Sequence, residues 1–392
     1  MARNYRPAEP PDIEFLQRTE QRAFLCSADA VDRYISQVGL ENFRILLQDD
    51  TPVGALTLLP QSQWWQGQKI AMAGIASVSV LPEARRQGNA VALLQATLQE
   101  LRDTDQLLSV LYSAADPLYR ALGYGVGGTS GFWQVPTHRI NCAGTRSAQL
   151  MPIRSMPLAL EQLRPLQQRY APYHNGHLDR HSSIWAAIMA QDKDRLATSA
   201  YSVGPPSAPE GYVVFSLEPG TPSTLHISDW AIATPEAGRS LWGFLAQMDT
   251  QIDTVRWRGG TIDPMVLLLP DSTASLKGLE YWRLRLVNVP GALMARGYPT
   301  TVAARLSLQV SDPILEENQG VWTLAVKGGR GTVTPGSEAQ ISLSVDHLAS
   351  LYAGVVSPYQ LRQLGQLEGH DNGLAIAAAL FAGPSPWLPD FF

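Results

Sequence analysis

The sequence predicts a mixed α/β fold, and three observations carry that prediction. Ala76, Val78 and Val80 alternate with Ser77 and Ser79, the period of a half-buried strand. Directly downstream, Leu94, Leu98 and Leu101 recur at helical spacing, with Gln95, Gln99, Glu100 and Arg102 on the opposite side. Strand and helix signals of the same texture continue along all 392 residues, of which 45% are apolar and 17% charged. That is ample core for two or three domains and shows no sign of overall disorder.

Taken in order, Tyr5–Ala8 reads as an edge strand, followed by helices over Asp12–Phe24 and Asp29–Val38. Phe43–Leu47 and Val53–Leu59 are strands parted by the turn Asp49-Asp50-Thr51-Pro52. Trp64-Trp65-Gln66-Gly67 reads as a loop before a long strand, Ile70–Val80. A helix runs from about Asn89 to Thr104, then a strand over Leu107–Tyr112. A short helix near Pro117–Leu122 stops at Gly123, and a strand follows over Gly131–Val135. This first unit, 1–140, ends at a polar, proline-rich connector over Asn141–Met156. A second unit, 141–282, carries helices near Leu158–Tyr170, Ser183–Gln191 and Pro235–Asp253, and strands over Tyr212–Leu217 and Ser228–Ala233. A third, 283–392, has strands near Arg305–Val310, Gly320–Lys327 and Gln340–Val345, with helices at Val289–Ala295 and Leu361–Leu367.

The turn between the first long strand and its helix carries the chemistry. Backbone N–H groups from Arg85 to Ala90 lie at a helix start, where four donors have no partner within the helix. Together with the positive end of the helix dipole they suit a pyrophosphate. Gly88 and Ala90 are small enough for phosphates to approach the backbone, and Arg85 and Arg86 add charge. Arg85-x-x-Gly88-x-Ala90, flanked by that strand and that helix, resembles the acetyl-coenzyme A signature of the GNAT acetyltransferase superfamily.

Further landmarks narrow the resemblance. Leu118-Tyr119-Arg120-Ala121-Leu122-Gly123-Tyr124-Gly125, Arg285–Tyr298 and Asp346–Gly354 are similar, in family order, to segments of the enhanced intracellular survival (Eis) acetyltransferases. The resemblance implies tandem GNAT-like domains, the second without the cofactor motif, followed by a sterol-carrier-protein-like α+β domain. It also implies acetyl-coenzyme A as cosubstrate, a homohexamer, and N-acetylation of a primary amine on a small polyamine-like molecule, an aminoglycoside or a protein lysine. Val78 and Val80 would offer backbone groups to the pantetheine arm, and Arg85, Arg86, Gln87 and Gly88 would hold the phosphates. Ser113 is a further candidate contact.

Acetyl transfer needs a proton donor for the departing thiolate and a free-base amine. Tyr119 resembles the GNAT tyrosine beside the thioester sulfur, and a phenol with an ordinary pKa near 10 is protonated at neutral pH. Tyr112 and Tyr124 are its rivals in sequence. The chain closes on Pro386-Trp387-Leu388-Pro389-Asp390-Phe391-Phe392, a cluster too apolar to leave in water and therefore expected to dock. In the Eis family a terminal Phe carboxylate enters the active site of the first domain, and Phe392 matches it in position and type. A carboxyl of pKa near 3.5 is a weak base for an ammonium, so a water relay or capture of the free-amine fraction is the expected route. Trp64 and Trp65 are expected either to wall an acceptor pocket or to pack a hairpin.

Acidic positions that draw polycations in relatives stand here as Cys26 and Phe391, with Asp29, Asp32 and Asp390 as the acids available to compensate. A more apolar acceptor, or weaker acetylation of polycationic drugs, is the expectation. His174, His177 and His181 have spacings that suggest zinc, but Asn175-Gly176 breaks the helix such a site needs; polar surface and no metal are expected. Net charge of −5 gives no footprint for nucleic acid or an anionic membrane. Cys26 and Cys142 form neither a metal motif nor a disulfide framework. Met1–Pro7 lacks a signal-peptide core and no apolar run reaches membrane-spanning length, so the cytoplasm is the expected compartment. The competing expectation is a non-catalytic acetyl-coenzyme A sensor, or a binder of an apolar ligand in the third domain.

Overall fold

A computed structural model describes residues 2–141, 148–153, 156–190, 195–270 and 273–392. Half of the expected connector, Cys142 included, lies outside them. The chain opens with β1 (Arg3–Pro7), α1 (Ile13–Phe24), α2 (Ala28–Val38), β2 (Phe43–Gln48), β3 (Thr51–Trp65), β4 (Gln68–Val80), α3 (Asn89–Asp103), β5 (Leu108–Tyr112), α4 (Asp116–Ala121) and β6 (Gly125–Pro136). This is the order of strands and helices that the sequence predicts.

The middle of the chain forms β7 (Leu150–Ile153), α5 (Met156–Tyr170), β8 (Leu178–Asp179), α6 (Ser182–Met189), β9 (Ser199–Val203) and β10 (Gly211–Glu218). It continues with β11 (Thr224–Ile232), α7 (Pro235–Ala246), β12 (Thr254–Gly259), α8 (Pro264–Leu267) and β13 (Ser275–Leu286). The last part holds α9 (Val289–Ala295), β14 (Ala304–Ser311), β15 (Gly320–Lys327), β16 (Arg330–Pro335), β17 (Ile341–Ser344) and α10 (Val345–Ala353). It ends with α11 (Pro358–Gln363), β18 (Glu368–Gly369) and α12 (Asp371–Leu380).

One large sheet runs β1-β2-β3-β4-β5-β13-β6-β12-β11-β10-β9-β7, with β8 on β3. Its continuity comes from β13, which wedges between β5 and β6: Trp282 is in register with Tyr112 on one side and Gly128 on the other. The second sheet runs β16-β15-β14-β17-β18. The two join through one apolar core in which Trp65 meets Trp282 at 6.2 Å and Tyr352 at 5.5 Å. Beside it Arg285, wholly buried, donates from Nη2 to both Asp312 oxygens at 2.7 Å and from Nε to the Leu122 carbonyl.

Three expectations are corrected. Trp64 and Trp65 are strand residues, because the two-residue turn of the β3–β4 hairpin is Gln66-Gly67, both with positive φ. Trp65 is buried in the core rather than walling a pocket. The helix from Pro235 ends at Ala246, not Asp253, because Asp253 accepts from Ser223 N at 2.7 Å and so belongs to the turn that starts β11. The helix expected at Leu361–Leu367 runs instead over Pro358–Gln363, set by a Ser357–Gln360 capping box and stopped before Gly365 at φ +69°.

Candidate active site

β4 and β5 pair in parallel only from Met72–Leu108 to Gly74–Val110. Past Gly74 they part, and Ser77, at φ +51°, bulges the free half of β4. A cavity of about 770 Å³ opens there, lined by Val78, Ser113, Tyr119 and Phe392 among others. Beyond the mouth, Arg86 and Gly88 both adopt positive φ, so the turn curls onto the start of α3. Gly88 is the N-cap residue and supplies no side-chain cap, and the first helical bond there is Ala92 N to Gly88 O at 3.0 Å. Arg85 bonds back to the Val80 carbonyl at 3.1 Å, while Arg86 and Gln87 are exposed and Ala90 continues the first turn of the helix. Open donors, a positive dipole end and cationic side chains fit a pyrophosphate. Arg3, on β1, bonds the Gln87 carbonyl and reaches Asn89 Oδ1 at 3.0 Å, adding a third cation that no motif in the sequence marks.

The three tyrosines are told apart by their hydroxyls. Tyr124 bonds Ser109 at 2.9 Å, and Tyr112 donates to the carbonyls of Leu388 and Asp390 at 3.3 and 3.1 Å. Tyr119 lines the cavity with no hydrogen-bond partner among the described residues. Its ring packs edge-on to Tyr124 at 5.9 Å, and burial pushes its pKa up to about 12.

The C-terminal segment docks against the large sheet. Leu388 N bonds Thr129 O, Trp387 N bonds Asn175 O, and Ser130 Oγ donates to Leu388 O at 2.6 Å. Trp387 packs edge-on to His177 at 4.3 Å. Phe391 and Phe392 then reach Tyr112, at 4.9 and 6.3 Å. The Phe392 ring lies over Gly74, where any Cβ would stand 2.6 Å from its Cε2; a glycine at the strand divergence is what admits it.

Two expectations about charge are corrected. Asp390 does not face an acceptor: it is buried 2.8 Å from Arg180 Nε, and Arg180 also grips Asp229 through bonds of 2.6 and 2.8 Å. Asp32 is tied to Gln17 at 2.6 Å, and neither it nor Asp29 lines the cavity. His174 and His177 are not polar surface, for they stack at 4.8 Å between Tyr170 and Trp387, where burial lowers both pKa values, that of His174 to about 4.

Three acids do line the cavity: Asp116 and Glu280, each ion-paired to an arginine, and Glu20 on α1. Glu20 is 4% exposed, lies 3.4 Å from Ser79 Oγ, and burial pushes its pKa up to about 7. It falls on the inner face of α1 with Phe15, Leu16 and Thr19, a polar residue at an apolar position of the helix. That misfit was its only sequence signal.

A known protein now supplies the decisive comparison. The fold superposes on a crystal structure of a GCN5-related N-acetyltransferase from Anabaena variabilis with a TM-score of 0.97 and 38% identity, over the whole of both chains. The chain belongs to this GNAT family, as an Eis-like member. Residues 4–127 and 176–286 each match an acetyltransferase (GNAT) domain, and 289–389 match a sterol carrier protein domain. An uncharacterized N-acetyltransferase of Streptomyces griseus is 27% identical over 374 residues, covering 89% of this chain and 86% of that one. The N-acetyltransferase Eis of Mycobacterium tuberculosis is 25% identical over 319 residues, 77% of this chain and 75% of its own. The tandem GNAT fold with its sterol-carrier partner is thus as the sequence predicts, and the protein is an N-acetyltransferase with an acceptor substrate. No helix among the described residues is long and apolar enough to cross a membrane.

Proposed function

We propose that this enzyme transfers the acetyl group of acetyl-coenzyme A to a primary amine in the cavity between β4 and β5. The observation that carries this reading is Tyr119, which lines the same cavity as Phe392 and Val78 with a hydroxyl that has no partner among the described residues. Acetyl-coenzyme A supplies the activated acyl group. Arg85, Arg86, Gln87 and the N–H groups of Gly88 to Ala90 would hold its phosphates, with the edge of β4 at Val78 and Val80 and the end of β5 at Ser113 along its arm.

With a pKa near 12, Tyr119 stays protonated at any working pH and donates its proton to sulfur as the carbon–sulfur bond breaks. The incoming ammonium must lose a proton, and two of the residues lining the cavity carry carboxyl groups suited to take it. The terminal carboxyl of Phe392 is one. Glu20, poised near neutrality, is the better matched as a base. Gly74 and the Arg180–Asp390 pair hold the tail in place.

The reading keeps three units, 1–140, 141–282 and 283–392, assembled as a hexamer in the cytoplasm; light scattering tests the assembly. Free-thiol release across a panel of amines tests the activity. Wild-type enzyme that binds acetyl-coenzyme A yet releases no thiol with any amine would overturn it.

A further inference from the structure

A second opening adjoins the cavity across Phe391, and its electrostatics are of the opposite kind. The cavity at Tyr119 is lined by Glu20, by Asp116 paired with Arg283 and by Glu280 paired with Arg258, with no Lys or Arg on its wall among the described residues. The neighbouring groove, about 780 Å³, runs over β6 and β12 beneath α6 and is lined by Arg195, Arg256, Arg258 and Lys277. Its walls are aromatic: Phe132, Phe391, and Trp133 stacked on Trp257 at 6.3 Å and 17°.

Sheet register puts the charges together. Gln134 on β6 is opposite Arg256 on β12 and Ser275 on β13, and Lys277 sits in the bulge of β13 between Leu276 and Gly278. Among the nearby acids, Glu280 pairs with Arg258 at 3.2 Å and so compensates that arginine, Glu218 holds His226 at 2.5 Å, and Asp390 is turned to Arg180; Arg256 and Lys277 are left to carry the charge. Arg256 donates from Nε to the neutral Gln134 amide at 3.0 Å, which leaves its charge uncompensated, and Lys277 has no ion pair among the described residues. Burial first, and then the fields of Arg195 and Arg256, lower the pKa of His226. In a chain of net charge −5 this is a concentrated positive site.

We propose that the groove binds an anionic group on the acceptor, so that the substrate is an amine joined by an apolar or aromatic spacer to a carboxylate or phosphate. The inference rests on the acetyl-transfer reading above for the amine end alone. Acid and apolar surface meet the amine beside Tyr119, and Arg256 and Lys277 meet the anion beyond Phe391. A polycation gains nothing from such a lining, since its second amine would meet like charge. The lack of an acid at Cys26 and Phe391 then has a physical sense: the acceptor's remote end carries negative charge.

Matched amines read the groove by turnover. 6-Aminohexanoate, its methyl ester and 1,6-diaminohexane share a spacer and differ at the far end; tyramine and its O-phosphate form an aromatic pair that separates carboxylate from phosphate. In thiol-release assays kcat/KM should favour the anionic member by about tenfold or more, the factor one charge-assisted hydrogen bond supplies. The preference should fall as salt rises. It should shrink toward one in the double variant Arg256→Gln, Lys277→Gln, whose fold is checked by its melting temperature and acetyl-coenzyme A binding.

A second measurement needs no turnover. Hexanoate should change the tryptophan fluorescence of Trp133 and Trp257 in the wild type and not in the double variant. Hexanoate binding without acetylation of any amine would break the acetyl-transfer reading while upholding the groove. Ester, diamine and amino acid turned over alike, with no hexanoate response, would break the proposal and leave acetyl transfer standing.

Discussion

The two GNAT units contain the same strand–turn–helix, and only one is left open to a ligand. In the first, β4 and β5 part after three parallel pairs and the chain enters α3 through Arg85-Arg86-Gln87-Gly88. In the second, β11 and β12 are parallel from Thr224–Thr254 to Ile227–Trp257, and the chain enters α7 through Ala233-Thr234-Pro235. There the helix start is closed. Thr234 accepts from Ala237 N at 3.1 Å and donates to Glu210 at 2.8 Å, Pro235 removes a donor, and Glu236 adds negative charge. Side chains that satisfy a helix N-terminus also remove it as an anion site. The topology is shared; the open donors and the cations are not.

The largest effect expected of any change falls in the open unit. Tyr119→Phe keeps the ring against Tyr124 and should lower kcat by roughly 10²–10⁴-fold with acetyl-coenzyme A affinity unchanged. Near-normal turnover would shift the proton donor to solvent. Deleting Phe392 moves the terminal carboxylate by ~3.3–3.6 Å and should cost on the order of 10²-fold in kcat, while calorimetric cofactor binding survives.

Arg85→Ala with Arg86→Ala should weaken acetyl-coenzyme A binding by about 1.5–3 kcal/mol per lost contact. The matched change in the closed unit is Thr234→Val. It should cost about 1 kcal/mol of stability through the lost cap and leave cofactor affinity alone. If Thr234→Val weakened acetyl-coenzyme A binding as much as the arginine changes do, the contrast between the units would collapse.

Glu20 gives the pH test. Its pKa rises from the usual carboxylate value to about 7 on folding, so the folded state holds its proton more tightly than the unfolded chain. Its contribution to stability is therefore fully present below about pH 4 and is lost as pH rises through 7. Glu20→Gln should remove that decline in melting temperature between pH 5 and 8. If Glu20 is the base, the variant should also lose the rise of kcat/KM with pH near 7. A variant with an unchanged profile would return the role to the Phe392 terminus.

Much of the first unit could be seen in the chain because local signals agree there. The alternation at Ala76–Val80, the leucine period of α3 and the small residues at Gly88 and Ala90 all specify one strand–turn–helix. The tail was also visible, since six residues as apolar as Trp387–Phe392 must find cover. Glu20 was not, nor was Arg3. Each matters through a neighbour more than fifty residues away, Ser79 for one and Asn89 for the other, and no local period encodes such a pairing.

By itself, then, the sequence determined the local elements, the basic turn before α3, the tyrosine candidates and the need to bury the C-terminus, because each depends on neighbours along the chain. Only the tertiary structure decided which tyrosine keeps a hydroxyl without a partner among the described residues, that Asp390 anchors the tail on Arg180, and that β13 joins the two units into one sheet. It also decided that His177 is buried and His174 half-buried, and that Arg256 and Lys277 share one groove. Those facts depend on which distant surfaces exclude water together. Burial and charge pairing are properties of that enclosure, not of any stretch of residues.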